Sequence, residues 1–130
     1  MPDGVRDPQV SAPVVRGEGE LPAYFRFLER WDRYRAVMSL FMEGWDALLC
    51  PVEAFPAPAE GENPGQVFTY MAPFSLVGWP CAAVRGGTSP EGLPIGVQAV
   101  GKRWRDDFAL AVALRVEKVF GGWRPPDLPL

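Results

Sequence analysis

Histidine is absent from this chain of 130 residues. That single absence removes every Ser-His-Asp and Cys-His nucleophilic system and every His-ligated metal site. Cysteine is almost absent too. Cys50 and Cys81 have no CxxC arrangement and no metal-ligand spacing, and each stands among apolar neighbours, where a buried reduced thiol is expected. Lysine occurs twice, at Lys102 and Lys118. No run approaches the ~20 consecutive apolar residues that cross a bilayer, and the opening MPDGVRDPQV has no apolar core of a signal peptide. Positive charge is in deficit: 13 basic residues face 16 acidic ones, giving a net charge of −3 and a pI near 4.9. Phosphate backbones and anionic lipid would be repelled, so neither nucleic acid nor a membrane is an expected partner. A cytoplasmic protein fits these absences.

What is present is a globular balance, with 48% hydrophobic and 22% charged residues. Fifteen prolines and fourteen glycines commit much of the backbone to loops. The length suits one ordinary domain. Residues 1–20 are polar, rich in Pro and Gly, and aperiodic, which reads as a flexible lead-in; residues 21–130 carry the folding pattern.

Pro22 suits a first helical turn. Tyr24, Leu28, Trp31, Tyr34, Met38, Phe41 and Trp45 then recur at spacings of three and four, the apolar stripe of a long amphipathic helix packed on a core. Glu29 and Arg33 form an (i, i+4) pair on its wet side, and Gly44 is expected to end it in the left-handed conformation. Ala47–Cys50 reads as a buried strand stopped by Pro51. Residues 51–66 hold four prolines and form a loop long enough to cover something. Residues 67–79, broken by Pro73 and Gly78, should contain a short helical piece.

Cys81–Arg85 and Ile95–Val100 read as two antiparallel strands, with residues 86–94 as an exposed turn. Asp106 or Asp107 should cap a last helix, Phe108–Phe120, which is apolar on nearly every side and ended by Gly121 and Gly122. Apolar strands of this kind need cover on both faces, and the chain has too few elements to supply it. The residues alone therefore point to a partner or to a remainder of the fold.

Candidate chemistry is sparse. RGGTSPEG (Arg85–Gly92) could cradle an anion or hold Ser89 as a nucleophile. It lacks the Gly-Lys-Ser/Thr ending of a P-loop and reads first as a turn between strands. Asp106 and Asp107 are adjacent and point apart on a helix, so they cannot share a proton. Glu60 and Glu62 fall in the proline-rich loop and are expected to be solvated. Lys102 lies beside Arg103 and Arg105 in a wet loop, and Lys118 suits a helix C-terminus, so neither is a desolvated base. Cys50 and Cys81 have no histidine to form a thiolate.

Three stretches resemble the amidase-signature family. WDALLCP (45–51) resembles the strand that follows a long helix there. TYMAPFSLVGWPCAAV (69–84) and EGLPIGVQAVGKRWRDDFAL (91–110) resemble two further family stretches, in the same order and at plausible spacing. Together they cover about residues 21–126. The ending RVEKVFGGWRPP (115–126) is similar to the close of the fatty-acid-amide-hydrolase branch. Phe68 stands where the glutamine-using amidotransferase branch carries an aspartate, which argues against holding a substrate's ammonium group. Arg85 stands where a proline is usual.

The resemblance implies an α/β fold, the C-terminal portion of a mixed central sheet covered by helices, incomplete in this chain. It implies amide-bond hydrolysis by a serine, with a second serine and a lysine relaying the proton and no cofactor. Those residues belong to a Gly-Ser-rich signature in the family's N-terminal half, which has no counterpart here. No residue of this chain is therefore assigned a catalytic, cofactor-binding or metal-ligating role. Three readings stay open: an amidase C-terminal part, inactive alone and partnered by the missing N-terminal segment or by itself through exposed apolar surface; a non-catalytic interaction module of the same descent; and a phosphate-binding module built on RGGTSPEG.

Overall fold

The computed structural model describes residues 21–62 and 68–125; the lead-in expected over residues 1–20 lies outside them. Six elements follow in order: α1 (Leu21–Phe41), β1 (Ala47–Pro51), α2 (Ala72–Val77), β2 (Cys81–Thr88), β3 (Pro94–Gly101) and α3 (Asp106–Phe120). Among the described residues no helix is long and apolar enough to cross a membrane. The chain divides into two compact units, Met1–Arg33 and Tyr34–Leu130. In the described part of the first, Leu28 and Trp31 are half-buried and Tyr24 is exposed; the Phe27 and Trp31 rings lie 5.9 Å apart.

The second unit is a three-stranded antiparallel sheet in the order β1-β3-β2. The strand with the most continuous apolar run, PIGVQAVG, takes the centre and is buried from Gln98 to Gly101. Alternation along the strands sorts the side chains into two faces. Leu48, Cys50 and Val100 fall on one, where Met42, Phe74, Val77 and Trp79 close a core with help from Tyr34 and Met38. The Phe74 and Trp79 rings stack at 6.3 Å, and Tyr34 donates its hydroxyl hydrogen to the Pro73 carbonyl at 3.4 Å.

The other face receives α3. Its inward residues, Ala109 and Ala113, are small, so the helix approaches closely; the Ala109 methyl lies 3.4 Å from where a Cβ on Gly101 would stand. The helix lies over β2 and β3 and hardly reaches β1. Phe108, Val112 and Val116 are half-buried beside that face, while Leu110, Leu114, Val119 and Phe120 are exposed. The all-round apolarity of α3 thus does not mean burial on every side in this chain: the alanine face is covered, its flanks are half-covered, and the side carrying Leu110, Leu114, Val119 and Phe120 is bare.

Several local expectations are corrected. Gly44 is not left-handed. The first helix ends earlier, at Phe41, because Met42, Glu43 and Trp45 donate to carbonyls three residues back, and this tightening satisfies the terminal carbonyls without a left-handed residue. Its stripe is only partly core: Tyr34 and Met38 pack inward, while Phe41 and Trp45 are exposed. β1 is half-buried, being an edge strand. The capping residue of α3 is Arg105, with Asp106 and Asp107 in the first turn and no side-chain cap bond. Asp107 instead pairs with the Arg105 guanidinium at 2.8 Å, which holds its carboxyl below the usual aspartate range.

Gly78 and the Gly121–Gly122 pair meet the expectation for helix stops. Gly78 is left-handed, and the N–H groups of Gly78 and Trp79 reach back to the Ser75 and Phe74 carbonyls. Gly121 is left-handed too, with the Gly122 N–H on the Glu117 carbonyl at 2.9 Å. Both are Schellman closures.

Candidate functional site

The proline-rich loop after β1 does cover something. Pro51–Pro58, Phe68, Met71 and the adjoining ends of β2 and β3 line an open cavity of about 770 Å³. Its walls are almost wholly apolar, with Val52, Phe55, Phe68, Met71 and Ile95 prominent; the two charged residues on them are Glu53 and Arg85. A cavity of this size and lining is of the kind that takes a small organic molecule.

Two polar side chains hold its shape. Gln98 is buried in the middle of β3, and its Nε2 donates to the Pro51 carbonyl at 3.0 Å and to the Tyr70 carbonyl at 3.1 Å. One amide therefore pins the start of the loop and the start of the opposite wall to the same strand. Glu53 ties the walls a second time. Its carboxylate accepts the Phe68 N–H at 2.7 Å and the Ala54 N–H at 3.0 Å. Phe68 meets that oxygen in the left-handed region, φ 70°, a conformation that is uncommon for an aromatic residue and persists where surrounding bonds fix it.

Sequence reasoning passed over both. For Gln98 a signal existed: an amide inside the apolar run IGVQAVG must find partners if the strand is central. Nothing in the sequence marked Glu53.

The RGGTSPEG stretch is not a loop of exposed residues 86–94 as expected. β2 continues through Gly86 and Gly87 to Thr88, with a bulge between Arg85 and Gly87, and β3 begins at Pro94. Gly86 has no room for a side chain, since a Cβ there would stand 2.3 Å from Val97 Cγ2. The turn is Ser89–Leu93, and Ser89 is buried. Its N–H donates to the Leu93 carbonyl at 2.8 Å, and its Oγ accepts the Leu93 N–H at 3.3 Å. A strand follows this turn, not a helix, so the geometry of a phosphate loop is missing.

Ser89 is equally unsuited to be a nucleophile. Interaction with its hydroxyl is the first cause of a Glu91 carboxyl held below the ordinary glutamate range. Lys102 lies past the far end of β3, at seven strand steps of ~3.3 Å, or roughly 23 Å, and its Nζ donates to the Glu43 carbonyl at 3.4 Å. Lys102 is thus out of reach of the Ser89 hydroxyl.

The Ser89–Glu91 interaction has a measurable consequence. A carboxyl held low in the folded state contributes above its unfolded pKa, and the contribution is lost as pH falls through the folded pKa. In Ser89→Ala the Glu91 titration, followed by carboxyl-carbon NMR, should move upward toward the ordinary glutamate value. An unchanged titration would mean that the interaction is absent in solution.

Cys50 is half-buried, but Cys81 is exposed, contrary to expectation, because β2 is an edge strand and nothing described covers its outer side. Both thiols are free, and burial of the sulfur pushes each up from its ordinary value. They stay protonated at neutral pH and are poor nucleophiles. Glu60, Glu62 and Lys118 are exposed, as expected. The structure brings Arg85, from the expected motif, to the cavity wall and leaves the other candidates scattered.

Comparison with known proteins points one way. A family profile described as Amidase matches residues 6–110. Fatty-acid amide hydrolase 2-A of Danio rerio is 48% identical over 59 residues, which are 45% of this chain and 11% of that protein. Fatty acid amide hydrolase of Medicago truncatula is 34% identical over 101 residues, 67% of this chain and 17% of that protein. In structure, 6-aminohexanoate cyclic dimer hydrolase superposes with a TM-score of 0.70 at 27% identity, over 82% of this chain and 26% of that one. The chain thus spans between about a tenth and a quarter of the length of these relatives.

Proposed function

The chain belongs to the amidase-signature family, and from that premise we propose that it forms the C-terminal part of an amide-bond hydrolase, supplying strands of the central sheet and one apolar wall of the substrate site. The observation that carries this reading is the cavity of about 770 Å³, held by Gln98 and Glu53 at the end of a sheet that superposes on an amidase-type hydrolase. The serine nucleophile, second serine and lysine of the family come, on this reading, from sequence outside these 130 residues, because no Gly-Ser-rich signature occurs within them. The N-terminal amidase part is then the partner of the bare face of α3. No metal or organic cofactor takes part, and two free thiols accord with the reducing cytoplasm. Phe68 at the cavity wall, in place of a carboxylate, favours an acyl amide over an amino-acid substrate.

The chain alone should not turn over an acyl anilide above the protein-free rate. Co-expression with an N-terminal amidase part carrying the lysine and a Gly-Gly-Ser-Ser stretch should restore turnover. Hydrolysis by the chain alone that survives purification controls and disappears in Ser89→Ala would overturn the proposal.

A further inference from the structure

We infer that the cavity takes a molecule with an apolar body and a terminal carboxylate, and that Arg85 receives the carboxylate. The inference rests on the reading of this cavity as a substrate wall and adds the charge of its ligand.

Of the two charged residues on the wall, Glu53 is already committed. Its oxygens accept the Phe68 N–H at 2.7 Å and the Ala54 N–H at 3.0 Å, so an incoming ammonium would have to displace bonds that hold the wall together. Arg85 is in the opposite condition. Its guanidinium has five donors; Nη2 reaches the Thr88 hydroxyl, and no ion pair engages it among the described residues. The residue is half-buried and shares the apolar wall with Ile95 and Val84. A planar guanidinium with unused donors matches a carboxylate, which it can hold by two parallel bonds. The bulge between Arg85 and Gly87 fixes where β2 presents it.

The carboxylate could belong to a substrate, as the far end of a dicarboxylic acid monoamide, or to the acid released by hydrolysis. The test uses the full chain and diazirine-bearing photoprobes of equal length: decanoate, decan-1-ol and decanedioic acid monoamide, with crosslinks mapped by mass spectrometry. Both carboxylates should label peptides containing Phe55, Phe68 or Ile95. Arg85→Gln should lower that labelling about fivefold, the scale of a partly exposed charge pair, and Arg85→Lys should restore part of it. Labelling by decan-1-ol, and labelling elsewhere on the chain, should not change. A monoamide that labels at least as well as decanoate assigns the carboxylate to the substrate, and a weaker one assigns it to the released acid. Equal labelling by decanoate and decan-1-ol, or no response to Arg85→Gln, overturns the role of Arg85 while leaving the apolar wall intact. No labelling of the cavity by any probe removes the wall reading as well.

Discussion

Replacing Met42 by alanine should remove a large part of the stability of the second unit. Met42 and Val100 are the largest fully buried side chains, and Met42 sits where the end of α1, α2 and the sheet meet. Truncating a buried methionine to alanine costs about 2–5 kcal/mol, from lost transfer energy and the cavity left behind. A domain of this size has about 5–15 kcal/mol in total. The urea midpoint of Met42→Ala should therefore fall steeply with an unchanged slope, whereas Met42→Leu should lose under about 1.5 kcal/mol. Trp104→Ala serves as the reference, because that ring is 79% exposed. Equal midpoints for Met42→Ala and Trp104→Ala would show that the cluster around Met42 is not what holds the unit together.

The second large effect concerns the surface that the chain leaves bare. Leu110, Leu114, Val119 and Phe120 on α3 are joined by Phe41, Trp45 and Leu49 beside the edge strand β1, where the last three border a smaller cleft of about 290 Å³. At roughly 25 cal/mol per Å² of apolar area, a few hundred uncovered Å² forgoes several kcal/mol of burial. Patches of that extent bind partners or cause association. The chain by itself should bind a hydrophobic dye, and its sedimentation should rise with concentration. Co-expression with an N-terminal amidase part should abolish both. Leu110→Glu combined with Leu114→Glu should lessen association of the chain alone and also block that rescue. A monomeric, dye-negative chain with a cooperative melt above ordinary mesophilic temperatures would show that these faces need no cover.

The sequence carried the parts of the fold that depend on one residue or one period. Gly78 and Gly121 stop helices because each frees a left-handed position, and GGTSPEGLP announces the reversal between β2 and β3. What escapes is whatever depends on neighbours remote in the chain or on side-chain competition. Ser89 has the sequence context of an exposed turn, yet it is buried and its hydroxyl accepts the Leu93 N–H. Asp106 and Asp107 have the position of caps, and one is taken by Arg105. The cavity is legible only as a loop too long to be idle. Its closure by Gln98 spans 47 residues to Pro51 and 28 to Tyr70, and no local pattern encodes such distances. The apolar circumference of α3 is a demand for cover, although the cover is not within the described residues.

The order of the strands also governs when the sheet can form. β1 and β2 do not pair with each other; each pairs with β3, which is the last of the three to be made. Of the described strands, none has its native partner when β2 has just been completed. Once Gly101 has left the ribosome, β3 can zip onto β2 across the short Ser89–Leu93 turn, a local closure that is quick. β1 must then be captured across a far longer stretch of intervening chain, at a higher entropic cost of loop closure. Until that moment its backbone groups and Leu49 remain available to any other extended segment, so the interval between synthesis of Pro51 and of Gly101 is the period in which this chain is most open to mispairing.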